Sequence, residues 1–158
     1  MSSETRLANE AWEAMFRAQV ALLRTFGADD VWIEVSQNEY DVLYTLSKSA
    51  NGMSMVEINR GILMTQAGIS RLVARLETRG LLERCVDDHD RRAVRMVLTP
   101  DGARIQKVVG RRHASAVAST MTRALSREQL EQLRDISRTI TSAIHPTHTD
   151  QESPRIRA

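Results

Sequence analysis

The residues from Ser54 to Leu98 admit few folds. Ser54 stands three residues before Glu57, the spacing of a capping box, in which hydroxyl and carboxylate satisfy the free N–H groups of a helix start. The helix this opens, Met55–Arg60, is stopped by Gly61. After the turn Gly61-Ile62-Leu63-Met64, Thr65 opens a second helix, Gln66–Arg79, which ends at Gly80. The pattern then alternates. Leu82–Val86 and Ala93–Leu98 read as two strands around the polar tip Asp87-Asp88-His89-Asp90-Arg91-Arg92. Two helices at helix-turn-helix spacing followed by a hairpin make a winged helix, so the fold class is mainly α with a small β-hairpin wing.

The same signals divide the rest of the chain. A long N-terminal helix spans about Glu4–Phe26, with a loop through Gly27–Val35. Ser36, three before Glu39, opens a helix read as Gln37–Ser49, with Gly52 beyond it as a stop. Thr99-Pro100-Asp101 opens a helix to about Leu125, with proline at the first helical position. Ser126, three before Gln129, opens the last, Arg127 to about Ile144. The polar segment 145–158 carries two prolines and reads as a disordered tail.

On a helical wheel Ile69, Leu72, Val73 and Leu76 fill one arc of about 100°, the stripe of a buried face. Opposite them stand Ala67, Ser70, Arg71, Ala74 and Thr78, with Arg75 at the edge. A helix seated in the DNA major groove needs this mixture. Low bulk allows close approach, hydroxyls reach phosphates, and arginines reach guanine edges or phosphates. The DNA-contact candidates are Thr65, Gln66, Ala67, Ser70, Arg71 and Arg75 on the helix and Asp90, Arg91 and Arg92 at the wing tip.

Charge distribution supports a polyanion partner. Between Arg60 and Arg112 twelve Lys/Arg oppose six Asp/Glu, although the whole chain is only +2. The same segment holds no Trp, Tyr or Phe, which favours DNA over a protein surface, since protein interfaces use aromatic anchors.

The runs TQAGISRLVARLETRGLLER and DDHDRRAVRMVLTPDG resemble the MarR family of bacterial winged helix-turn-helix transcriptional regulators. The resemblance extends from Ser36 to Ile144. It implies a homodimer with one winged-helix lobe per subunit, joined by terminal helices. It implies that Asp90 orients Arg92 at the wing tip towards the minor groove, with Arg91 a second candidate. It implies a single domain over 1–144, with dimerisation helices at about 4–26 and 100–144 and a DNA-binding lobe at about 36–99. The expected function is a repressor of the cytoplasm that binds a pseudo-palindromic operator as a homodimer and is released by a ligand.

The terminal helices argue for the dimer independently. Leu7, Ala11, Ala14, Met15, Ala18 and Leu22 line the first, and Leu130, Leu133, Ile136, Ile140 and Ile144 the last. A dimer would place two recognition helices about one DNA turn apart.

Small aromatic or phenolic anions are the effectors implied by the resemblance. All six aromatics of the chain lie in its first 44 residues. Trp12, Phe16, Trp32, Tyr40 and Tyr44 are the candidate pocket lining, with Arg17 or Arg24 facing an anion; packing in core and interface would use the same residues. Peroxide-sensing relatives carry a cysteine near the N-terminus; here Cys85 is alone, in a hairpin strand, and reads as a small structural residue.

Other classes find less support. No nucleophile motif or phosphate-cradling glycine loop is present, so no enzyme is expected. His145 and His148 lack the further ligands of a metal site, and no metal or cofactor is expected. No apolar run approaches the roughly 18 residues of a membrane span. A ligand-independent architectural DNA binder and a winged-helix protein-interaction module remain as alternatives.

Overall fold

A computed structural model describes residues 2–62, 64–86 and 93–144. Six helices and one hairpin follow in the order α1 (Ser3–Gly27), α2 (Gln37–Leu46), α3 (Met55–Arg60), α4 (Gln66–Thr78), β1 (Leu82–Val86), β2 (Val94–Leu98), α5 (Pro100–Ala124) and α6 (Arg127–Ile144). The expected winged-helix class is what the chain adopts: mainly helical, with a two-stranded antiparallel hairpin. The chain divides into two compact units, residues 1–116 and 117–158.

The core of the first unit is built where four helices and the hairpin meet. α4 contributes Ile69, Leu72, Val73 and Leu76, α2 contributes Val42, Leu43 and Leu46, and α3 contributes Ile58. Leu82 and Met96 come from the hairpin, Ile105 and Val109 from α5. Burying side chains of this size supplies about 1.5–3 kcal/mol each. α4 starts because Thr65 accepts the N–H of Gly68 at 3.2 Å. It stops as Gly80 turns the chain at φ 69, its N–H bonded to the Glu77 carbonyl at 2.9 Å.

The hairpin pairs Leu82 with Leu98, Arg84 with Met96 and Val86 with Val94. Met53 adds a third partner: its N–H and carbonyl bond to Met96 at 3.0 and 2.8 Å, a bridge with no signal in the sequence pattern. The wing tip, including Asp90, Arg91 and Arg92, lies outside the described residues, as do Leu63 and the tail from 145.

Two expectations are corrected. α2 ends at Leu46, not Ser49. The Ser47 hydroxyl donates to the Tyr44 carbonyl at 2.7 Å and the Ser49 hydroxyl to the Gly52 carbonyl at 2.8 Å, bonds that give the backbone an alternative to helix. Gly52 accordingly stops no helix. It turns at φ 72, and a Cβ there would strike the Met96 carbonyl oxygen.

α5 begins with its own close approach. A Cβ at Gly102 would run into the carbonyl oxygen of Leu81. Thr99 clamps the same junction. Its hydroxyl donates to the Gly80 carbonyl at 2.7 Å and accepts the Gly102 N–H at 3.1 Å.

α1 buries only Phe26, and Leu7, Trp12, Met15, Phe16 and Leu23 stay exposed. In the second unit α6 buries nothing. Among the described residues no helix is long and apolar enough to cross a membrane.

Candidate nucleic-acid interface

The packing of α4 decides which of its residues face outward. Ile69, Val73 and Leu76 are 0% exposed and Leu72 is 7%. Thr65, Gln66, Ala67, Ser70, Arg71, Ala74, Arg75 and Thr78 are all exposed. The outward face therefore has a floor of alanine, serine and threonine between two arginines. Backbone along such a floor can come close to another surface, and the guanidinium groups reach beyond it.

The two arginines are held differently. Arg71 lies along its own helix, its Nε donating to the Ala67 carbonyl at 3.3 Å, and it pairs with no carboxylate among the described residues. Arg75 is tied across to α2: its Nε lies 2.8 Å from Oε1 of Glu39. Arg79 reaches the same oxygen through Nη1 at 3.2 Å and donates through Nη2 to the Glu34 carbonyl at 2.6 Å. Glu39 also closes the capping box of α2, accepting the Ser36 N–H on Oε2 at 2.8 Å. Burial pushes its carboxyl pKa up, but the Ser36 hydrogen bonds and the charges of Arg75 and Arg79 outweigh burial and hold it below the ordinary range.

Several other cations of the basic centre serve the fold. Arg84 pairs with Glu77 at 3.0 Å and Arg104 with Asp101 at 2.9 Å. Arg95 binds the Asn51 and Gly52 carbonyls at 3.0 and 2.7 Å. The local charge excess counted in the sequence thus overstates what a polyanion meets.

The candidate effector residues fall into two groups. Trp12 and Phe16 stack on α1 at 6.1 Å and are 61% and 51% exposed. Beside them runs an open groove of about 500 Å³ lined by Glu13, Phe16, Arg17, Val20, Ala21 and Arg24. Arg17 is already paired there with Glu13 at 2.6 Å. Trp32, Tyr40 and Tyr44 form the second group. Tyr40 lies 5.6 Å from Trp32 and 5.9 Å from Tyr44 between ring centroids. His113 of α5 joins them, with Trp32 at 5.1 Å, Phe26 at 5.4 Å and Tyr40 at 5.8 Å. Its Nδ1 is buried without a hydrogen-bond partner among the described residues. Burial raises the carboxyl pKa of nearby Asp41, and the charge of His113 pulls it back.

Comparison with known proteins agrees with this geometry. The sequence pattern of the MarR family matches residues 34–93, which run from the loop before α2 to the foot of β2. The multiple antibiotic resistance protein MarR of Salmonella typhimurium is 25% identical over 101 residues, covering 64% of this chain and 69% of that protein. Two solved structures share the fold. Sco3205, a MarR family transcriptional regulator from Streptomyces coelicolor in complex with DNA, is 23% identical with a TM-score of 0.73, covering 95% of this chain and 93% of that one. CouR from Rhodococcus jostii RHA1, bound to p-coumaroyl-CoA, is 22% identical with a TM-score of 0.72, covering 91% of this chain and 98% of that one.

Over residues 34–93 the chain carries the MarR family pattern.

The solved neighbours share its winged-helix fold. Against the expected sites, the chain exposes every α4 candidate and separates Trp12 and Phe16 from the ring cluster. Three residues escaped the sequence reading. Glu39 was legible only as a cap, because its arginine partners lie 36 and 40 positions away. His113 continues the buried i, i+4 row of Ile105 and Val109, a signal that could have found it. Phe26 was recognised as aromatic but not as a neighbour of that histidine. Cys85 is exposed on β1 opposite Arg95 and fills no core position.

Proposed function

We propose that this chain is a MarR-type transcriptional regulator, a homodimeric repressor that seats α4 in the major groove of a pseudo-palindromic operator. Ser70, Arg71 and Arg75 read or position on bases, Thr65, Gln66 and Ala67 serve the helix start, and Asp90, Arg91 and Arg92 serve the wing. The observation that carries this reading is the exposed face of α4, small at its centre and flanked by arginines. The exposed apolar faces of α1 and α6 support a second copy as their cover. The DNA complex of the Streptomyces relative supports the ligand class.

The test is binding to a genomic fragment pool at two salt concentrations, with sequencing of what is retained. The expected result is an enriched pseudo-palindrome with half-sites about one turn apart and a steep loss of affinity with salt. Arg71→Ala is expected to weaken that site by about 1–3 kcal/mol, as for loss of a bidentate base contact. Salt-sensitive binding without an enriched site would replace the repressor with an architectural protein.

Release by a small aromatic or phenolic anion is the second half of the proposal. It rests on the cluster of Trp32, Tyr40, Tyr44, Phe26 and His113, where an unpartnered imidazole nitrogen sits among ring faces. Trp12 and Phe16 on α1 contribute from their own surface, with Arg24 the cation left beside them. The p-coumaroyl-CoA complex of the Rhodococcus relative supports an aromatic acyl class. A Trp12→Phe variant leaves Trp32 as the sole indole, and titration with aromatic acids should then quench its fluorescence saturably. A flat response to all of them sinks the effector reading and leaves the DNA reading standing.

A further inference from the structure

We propose that Glu39 is a specificity-determining positioning residue, which clamps Arg75 by its Nε and so presents the two Nη groups of that arginine to the operator. The inference rests on the reading of α4 as the DNA helix and goes further, because it places a determinant of selectivity on α2, away from the DNA face.

The geometry separates the roles of three side chains. Glu39 is 5% exposed, and both of its oxygens are in use. Oε2 accepts the Ser36 N–H at 2.8 Å, which fixes the carboxylate at the start of α2. Oε1 lies 2.8 Å from Arg75 Nε as an ion pair and accepts from Arg79 Nη1 at 3.2 Å. Arg79 spends its other arm on the Glu34 carbonyl at 2.6 Å, so it is committed to the protein on both sides. Arg75 approaches Glu39 most closely through its Nε, and its side chain remains 58% exposed. A guanidinium is planar, so anchoring Nε sets the direction of both Nη atoms. Those atoms carry the fork that matches a guanine edge or a phosphate.

Charge points the same way. One carboxylate between two guanidinium groups leaves a surplus of one positive charge at the edge of the α4 face. An unclamped Arg75 would keep that attraction but would have to be ordered on binding, and the rotamer freedom lost would reduce discrimination between sites. The clamp therefore acts on the difference between right and wrong sequences. Attraction to DNA in general does not need it.

Glu39→Gln tests this without dismantling α2, because glutamine also completes a capping box at this position. Affinity is measured for the best site recovered from the genomic pool and for a shuffled duplex of equal length. Four proteins are compared: wild type, Glu39→Gln, Arg75→Ala and the double variant. The expected result is a five- to tenfold loss on the specific site for Glu39→Gln, with binding to the shuffled duplex unchanged or tighter. In the Arg75→Ala background the further loss should fall below twofold. Equal losses on both duplexes, or the same loss with and without Arg75, would show that Glu39 acts through the fold and would overturn the proposal. If Arg75→Ala leaves the specific site untouched while Arg71→Ala weakens it, the clamp is refuted and the DNA reading survives. Failure of wild type to prefer any sequence would remove both.

Discussion

α4 and α6 are both amphipathic helices, and they meet opposite fates. α4 turns Ile69, Leu72, Val73 and Leu76 into a core and leaves its polar side outward. α6 carries Leu133, Ile136, Ile140 and Ile144 at similar spacing and buries none of them; they are 43%, 59%, 39% and 66% exposed. An apolar stripe states that a face needs cover. It does not state which chain supplies the cover. The stripe of α4 is met within its own lobe by α2, α3 and β1, and that of α6 is the kind of surface that marks an interaction site.

The largest effect expected from this contrast is at the buried stripe. Leu76→Ala should lower the unfolding free energy by about 2–5 kcal/mol, read by chemical denaturation, since it empties a fully enclosed position. A loss near zero would mean that α4 is not part of the cooperative core. At the open stripe the readout changes. Ile136→Asp combined with Ile140→Asp should leave helix content intact and raise the dissociation constant of the proposed dimer at least tenfold, about 1.4 kcal/mol, by sedimentation equilibrium. A dimer as tight as wild type would move the interface away from α6.

Acid sharpens the comparison further, because α4 is tied through a buried carboxylate and α6 carries surface pairs. The carboxyl of Glu39 titrates below its ordinary range in the folded chain. Its stabilising contribution is therefore present above the unfolded carboxylate pKa and is lost as pH falls through that range towards the folded value. Glu57 works in the same sense, its carboxyl held low by the Ser54 backbone and side-chain bonds. Glu39→Gln should flatten the acid limb of a stability–pH profile, and an unchanged limb would assign acid sensitivity elsewhere. The smallest effect is expected on α6, where Arg127 pairs with Glu131 at 3.0 Å with a side chain 93% exposed. Arg127→Ala should leave the thermal midpoint unchanged within error, as for an exposed pair screened by water and salt.

What the sequence revealed follows the range of the interactions involved. α3, β1 and α6 end where their local signals place them, because a cap or an alternation is written within a few residues. α2 runs short because Ser47 and Ser49 draw the backbone out of the helix, a competition that a periodic pattern does not show. The exposed face of α4 was legible from a wheel, since the buried stripe defines its opposite. The Glu39 clamp was not, for it joins residues that only the tertiary fold brings together. The aromatic residues were easy to count, but their sorting into a stacked pair on α1 and a cluster around His113 depends on where α5 passes.

Gly102 bears on how any signal could travel through the lobe. Its α-carbon rests against the Leu81 carbonyl with no room for a methyl group, and Thr99 bonds to both sides of that contact. Side chains can re-pack around a hinge, but two backbones in direct contact leave nothing to re-pack. The end of α4, the root of the hairpin and the first turn of α5 are therefore one stiff piece, with no slack at the joint.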